Sequence, residues 1–145
     1  TDGMNRLCRK WETMKSHVPA PVRRNAKRRT PDGVIYFGST APAMDEALAK
    51  LEAEGVHLDA LRVRAFPFSD EVFEFIRAHE QVFVVEQNRD AQLKSLLVNE
   101  GGVHPARLVS ILHFDGTPIT ARFITRQIAE KLKHGEAAAL PEQAE

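Results

Sequence analysis

Residues 86–92 read Glu-Gln-Asn-Arg-Asp-Ala-Gln, a dense run of hydrogen-bonding side chains between two apolar segments. Glu86, Asn88, Arg89, Asp90 and Gln92 are the candidates here. Together they form a polar corner suited to holding a ligand, to docking on a neighbouring domain, or simply to turning a strand into a helix. In the simplest case Asp90 caps the following helix and Asn88 holds the turn. The run contains no nucleophile and no histidine that could act as a general base, so no catalytic residue is assigned to it. A second candidate is Gly38-Ser39-Thr40, with an apolar run before it and a helical pattern after it. A glycine, two hydroxyls and a helix N-terminus can cradle an anion, although the same residues also cap helices. This run lacks the three glycines of a dinucleotide fingerprint and the lysine of a P-loop. The six histidines show no H-x-H or H-x-x-x-H spacing, so no metal site is expected. His113, near Asp115 at a strand end, is the most chemically placed of them, and a satisfied structural histidine is its commoner role.

These groups need a scaffold, and apolar periodicity supplies one from Val34 onward. "VIYFG" (34–38) reads as a strand covered on both faces. Pro42 suits a first helical turn, Met44, Ala47, Leu48 and Leu51 follow at helical spacing, and Gly55 is a stop. "LRVRAF" (61–66) alternates, with Arg62 and Arg64 facing away from Leu61, Val63 and Ala65, which places it near an edge or beside acidic partners. Ser69 is the expected N-cap of a helix whose inner stripe is Val72, Phe75 and Ile76. "QVFVVE" is the third strand. The helix after it presents Leu93, Leu96 and Leu97 on one face and ends at Gly101-Gly102. "RLVSILHF" (107–114) is the fourth strand, and Ile124, Ile128 and Leu132 mark a last helix stopping near Gly135. Alternation of strands and helices predicts an α/β fold with three α/β/α layers around a mostly parallel sheet of four to five strands. In such sheets ligands bind at the carboxyl edge, and 38–42, 66–70, 86–90 and 113–118 must share that edge.

The chain has 145 residues, 43% hydrophobic and 28% charged, enough for one packed domain and inconsistent with wholesale disorder. No apolar run is long enough to span a membrane. Cys8, the only cysteine, excludes an internal disulfide or a Cys-ligated cluster built by this chain alone, and fits the cytoplasm. The net charge of zero hides a division. Nine of the twenty Lys and Arg residues lie within 1–33 against Asp2, Glu12 and Asp32, so the front carries +6 and the remainder −6. Residues 1–33 therefore read as a basic connector, 34–134 as the domain, and 135–145 as a flexible tail. Within the connector, Leu7, Trp11 and Met14 fit a basic amphipathic helix, and the later part is extended, with room for an edge strand. "RRNAKRR" (23–29) is a solvated basic run without an aromatic stacking platform, so nucleic acid is not an expected partner.

Four segments, "VIYFGSTAPAMDEAL", "VRAFPF", "FVVEQNRDAQLKSLL" and "ILHFDGTPITARFI", together with the front "RLCRKWETMKSHVPAP", resemble the alpha subunit of 2-oxoacid:ferredoxin oxidoreductases. The 2-oxoglutarate type is the most similar, and the similarity covers about residues 1–134. The similar region of that subunit is its C-terminal, transketolase C-terminal-like domain. The resemblance implies a place in an enzyme that converts a 2-oxoacid and coenzyme A to acyl-CoA and carbon dioxide and passes electrons to ferredoxin. It implies thiamine diphosphate, magnesium and an iron–sulfur cluster held elsewhere in the complex and none bound by this chain. The implied partners are a beta subunit and preceding alpha-subunit domains. This segment would then serve assembly and packing. The alternative from the residues alone is a small nucleotide- or coenzyme-A-binding module, with phosphates near the amides after Gly38 and the Arg23–Arg29 run.

Overall fold

The computed structural model of the chain describes residues 1–139. Helix α1 (Asp2–Lys15) leads to a three-residue strand β1 (Val22–Arg24), and β2 (Asp32–Phe37) follows. A single 3-10 turn, Gly38–Thr40, passes into α2 (Ala41–Ala53). Then come β3 (Asp59–Val63), α3 (Asp70–Arg77), β4 (Gln81–Glu86), α4 (Gln92–Gly101), a second 3-10 turn at Pro105–Arg107, β5 (Leu108–Leu112) and α5 (Ala121–Ala139). The five strands lie in the order β1-β3-β2-β4-β5, with β1 antiparallel to β3 and every other pairing parallel.

Both faces of the sheet are covered, as the continuous apolar runs require. On one face Val34, Tyr36, Phe83, Val85 and Ile111 meet Met44, Leu48 and Leu51 of α2 and Ile124 and Ile128 of α5. On the other, Ile35, Leu61, Val82, Val84 and Leu108 meet Val72, Phe75 and Ile76 of α3 and Leu93 and Leu97 of α4. The expected α/β/α architecture is therefore the observed one.

The basic front is part of this architecture. Strand β1 caps the sheet edge, with Val22 opposite Arg62 and Arg24 opposite Ala60. Asp59 ties it down: its carboxylate accepts the Ala26 N–H at 2.8 Å and pairs with Arg23 at 3.6 Å and with His79 Nε2 at 3.0 Å. Helix α1 buries no residue. It rests on the body through Trp11, whose ring meets Phe66 edge-on at 5.3 Å, and Phe66 meets Phe68 at 5.0 Å in the same manner.

Several local expectations need correction. Strand β3 ends at Val63, so Arg64 and Ala65 lie beyond it. Ser69 occupies the N-cap position of α3, yet its hydroxyl makes no capping bond. Leu96 does not join Leu93 and Leu97 in the core and is 39% exposed. Helix α5 runs through Gly135, the expected stop, to Ala139. One helical glycine costs about 1 kcal/mol relative to Ala, too little to end a helix whose Ile124 and Ile128 are fully buried. The rest of the expected tail, 140–145, lies outside the described residues.

Candidate functional site

Chain direction around the sheet defines where a ligand would be sought. From β2 the chain moves outward to β3, then crosses back past β2 to β4 and β5. The connections after β2 and β4 therefore part in opposite senses, and the crevice between them is the topological switch point, the usual ligand site of doubly wound sheets. The two sequence candidates, Gly38–Thr40 and Glu86–Gln92, sit on its two sides.

The crevice is closed by Gln87. Its Nε2 donates to Ser39 Oγ at 3.1 Å and to Thr40 Oγ1 at 3.2 Å, and its Oε1 accepts the Ile119 N–H at 3.3 Å. One amide thus joins the turns that follow β2, β4 and β5. Gly38 enters this arrangement at φ +59, a left-handed conformation that suits glycine. Ser39 and Thr40 are thus brought to the switch point, but their oxygens already accept a protein donor.

Glu86 is fully buried at the end of β4. Its carboxylate oxygens receive the Leu93 N–H at 2.6 Å, the Lys94 N–H at 3.3 Å and the Asn88 side-chain amide at 3.0 Å. Asn88 Oδ1 in turn accepts the Gln92 N–H at 3.2 Å. Three of the four free N–H groups that begin a helix are therefore satisfied by two side chains from the strand end and turn, and the negative carboxylate complements the dipole. Asp90 does not cap α4, contrary to expectation. It is exposed and pairs with Arg89 Nε at 2.7 Å. The capping group comes instead from Glu86, because the chain takes a left-handed step at Ala91 (φ 50, ψ 49) before the helix begins, and that step aims the first turn back at the strand. Of the five candidate residues, Glu86 and Asn88 form one network, Arg89 and Asp90 form a separate exposed pair, and Gln92 contributes its backbone N–H.

That step at Ala91 carries a local strain, since a left-handed L-residue costs roughly 1–2 kcal/mol. Ala91→Gly is expected to raise stability by about 0.5–1 kcal/mol after the entropy of the glycine is counted. Urea unfolding would read it, and a loss of stability would show that the Ala91 conformation is unstrained.

His113 is held structurally. Its Nε2 lies 2.9 Å from the Thr117 carbonyl and 3.2 Å from Asp115 Oδ1, and its ring packs on Phe123. Thr117 gives Asp115 both its hydroxyl, at 2.7 Å, and its N–H, at 2.9 Å. The hydroxyl bond first and the N–H bond next hold the Asp115 carboxyl below its ordinary range. The stabilisation they give this loop is present above the ordinary aspartate pKa and is lost as pH falls through the depressed folded value. Thr117→Val should move the Asp115 titration upward in carbon-detected NMR, and an unmoved titration would contradict this assignment. Among the described residues no three His, Cys, Asp or Glu side chains gather as metal ligands, and no helix is long and apolar enough to cross a membrane.

The coenzyme-binding alternative needs Arg23–Arg29 beside Gly38. The structure puts them at opposite ends of the sheet. Arg24 pairs with Ala60 at the start of β3, and Arg29 lies with Pro31, Ala78 and Glu80 beyond the sheet's amino edge. Gln87, which joins the three turns, belongs to no motif that marks it. A glutamine in a polar run carries no signal of what its amide will span.

Sheet order and switch point together define a doubly wound α/β domain. No protein-family model matches the chain, and no curated protein matches its sequence. Solved structures do. The 2-oxoglutarate:ferredoxin oxidoreductase from Magnetococcus marinus, with 2-oxoglutarate, coenzyme A and succinyl-CoA bound, superposes with a TM-score of 0.73 at 21% identity, over 83% of this chain and 21% of that one. A split-gene transketolase, described as an inactive beta4 tetramer, gives 0.58 at 22% identity over 77% and 41%. The alpha chain of a probable 2-oxoacid ferredoxin oxidoreductase from Thermoplasma acidophilum gives 0.50 at 22% identity over 79% and 97%. At these identities the likeness is one of fold, and the chain spans about a fifth of the length of the first. Two of the three are described as ferredoxin oxidoreductases, one of them as a probable one, the family that the sequence motifs resemble.

Proposed function

We propose that this chain is the C-terminal domain of the alpha subunit of a 2-oxoacid:ferredoxin oxidoreductase of the 2-oxoglutarate type, and that it serves assembly and packing. The motif resemblance and the shared fold support the enzyme class. The observation that carries the non-catalytic role is the Gln87 amide filling the switch-point crevice. The Ser39 and Thr40 oxygens, the Gln87 amide and the Ile119 N–H are engaged with one another there. The residues do not fit thiamine diphosphate either. Among the described residues no three His, Cys, Asp or Glu side chains gather to hold the magnesium that accompanies it. We place thiamine diphosphate, magnesium and the iron–sulfur cluster in other parts of the complex. The exposed Arg89–Asp90 pair is left as the outward face of the polar corner, available to a beta subunit or a preceding alpha-subunit domain. Ferredoxin and coenzyme A are partners of the whole enzyme, which we place in the cytoplasm.

The test is to recover the tagged chain from the cells that make it. It should emerge with a thiamine-dependent partner, and that assembly should reduce methyl viologen only when given both a 2-oxoacid and coenzyme A. The purified chain alone should not. A chain that emerges alone, or that reduces the dye unaided, refutes the reading.

A further inference from the structure

Beside the switch point, on its β3 side, the carboxyl edge opens into a cleft of about 440 Å³. This volume falls within the roughly 300–1,000 Å³ of small-molecule sites. Phe37, Phe66, Phe68 and Leu96 line it, with Arg62 and Arg64. Phe37 is 40% exposed, and Phe66 and Leu96 are each 39% exposed. Arg62 pairs with Tyr36, so it leaves β3 on the face that α2 covers, and Arg64 follows beyond the strand end; both are among the residues that line the cleft. Neither has a carboxylate within salt-bridge distance among the described residues, whereas Arg23 and Lys27 pair with Asp59 and Glu52. The side-chain hydrogen bond found for Arg64 is a long one, 3.5 Å from Nη1 to the Ala20 carbonyl. Uncompensated positive charge and uncovered apolar surface therefore meet in one concavity.

We infer that this cleft binds a small organic anion with an apolar or aromatic body, its charged end on Arg62 and Arg64 and its body against Phe37, Phe66 and Leu96. A guanidinium offers a planar fork that matches carboxylate and phosphate oxygens. The aromatic and leucine side chains reward a ligand that takes their surface out of water. An inorganic ion would leave that surface wet, and an uncharged body would leave the arginines without a counter-charge. The site shares no hydrogen bond with the polar corner and stands independently of the oxidoreductase reading.

Trp11 makes the inference measurable. It is the chain's one tryptophan, and its ring lies 5.3 Å from Phe66 in the cleft wall. The full chain would be titrated with phenylacetate and with phenyl phosphate, following Trp11 fluorescence. Phenylacetamide tests the body without the charge, and inorganic phosphate the charge without the body. At least one of the two aromatic anions should change the signal saturably, and both controls should bind at least about tenfold more weakly than it. The tighter of the two distinguishes a carboxylate from a phosphate ligand. Arg62→Gln combined with Arg64→Gln, both at exposed positions, should weaken the anions at least about tenfold while leaving far-UV circular dichroism unchanged. Leu96→Asp should weaken them as well. The inference is overturned if phenylacetamide matches phenylacetate, or if the double variant binds as before. It is equally overturned if neither anion saturates by about 10 mM.

Discussion

Glu86→Ala is expected to destabilise the folded chain by about 3 kcal/mol, or to lower Tm by roughly 10 °C. The side chain is fully buried, and its removal strips the acceptor from the Leu93 and Lys94 N–H groups and from the Asn88 amide. Each buried donor left without a partner costs about 1–3 kcal/mol. Water entering the vacated space offsets part of this. Glu86→Gln keeps one oxygen and turns an amide N–H toward donors, so it should lose about half as much. Equilibrium urea unfolding of the two variants beside the parent is the measurement. A Glu86→Ala variant within about 0.5 kcal/mol of the parent would mean that solvent, and not the carboxylate, satisfies the start of α4.

Gly101→Ala should destabilise by about 2 kcal/mol through overpacking. A Cβ at this position drives directly into the Phe73 ring, with Val103 Cγ2 at 3.2 Å closing the other side. Phe73 has little room to yield, since it is buried and meets Phe68 edge-on at 6.0 Å. Gly135→Ala is the matched control. It also lies in a helix, but nothing stands within 4 Å of its added Cβ. That substitution should stabilise by about 0.5–1 kcal/mol from helix propensity alone. Opposite signs from the same chemical change would separate packing from propensity, and equal signs would contradict the placement of Phe73.

The sequence carried the central sheet well. "QVFVVE" coincides with β4 to the residue, because a strand buried on both faces leaves a short, continuous apolar run that few other elements produce. The α2 and α3 stripes were equally legible from their spacing. What could not be read was decided between distant positions. The helix after β4 looks capped by Asp90, the nearest acid, yet the capping carboxylate is Glu86, seven residues before the Leu93 N–H it accepts. Leu96 follows the apolar pattern of α4 and still faces a cleft, since what covers it depends on where β3 ends. Gln87 is the extreme case: its partners at Ser39, Thr40 and Ile119 lie 48, 47 and 32 positions away.

That single amide also bears on how the domain tolerates being rebuilt. Turns that follow three different strands are laced together through it, so a peptide inserted into any one of them would disturb the other two. The Gly55 turn carries no such tie: it is exposed, at φ +85, with nothing within 4 Å of where a Cβ would stand. Affinity tags, reporter loops or new chain termini belong there, on the far rim from the cleft and the polar corner.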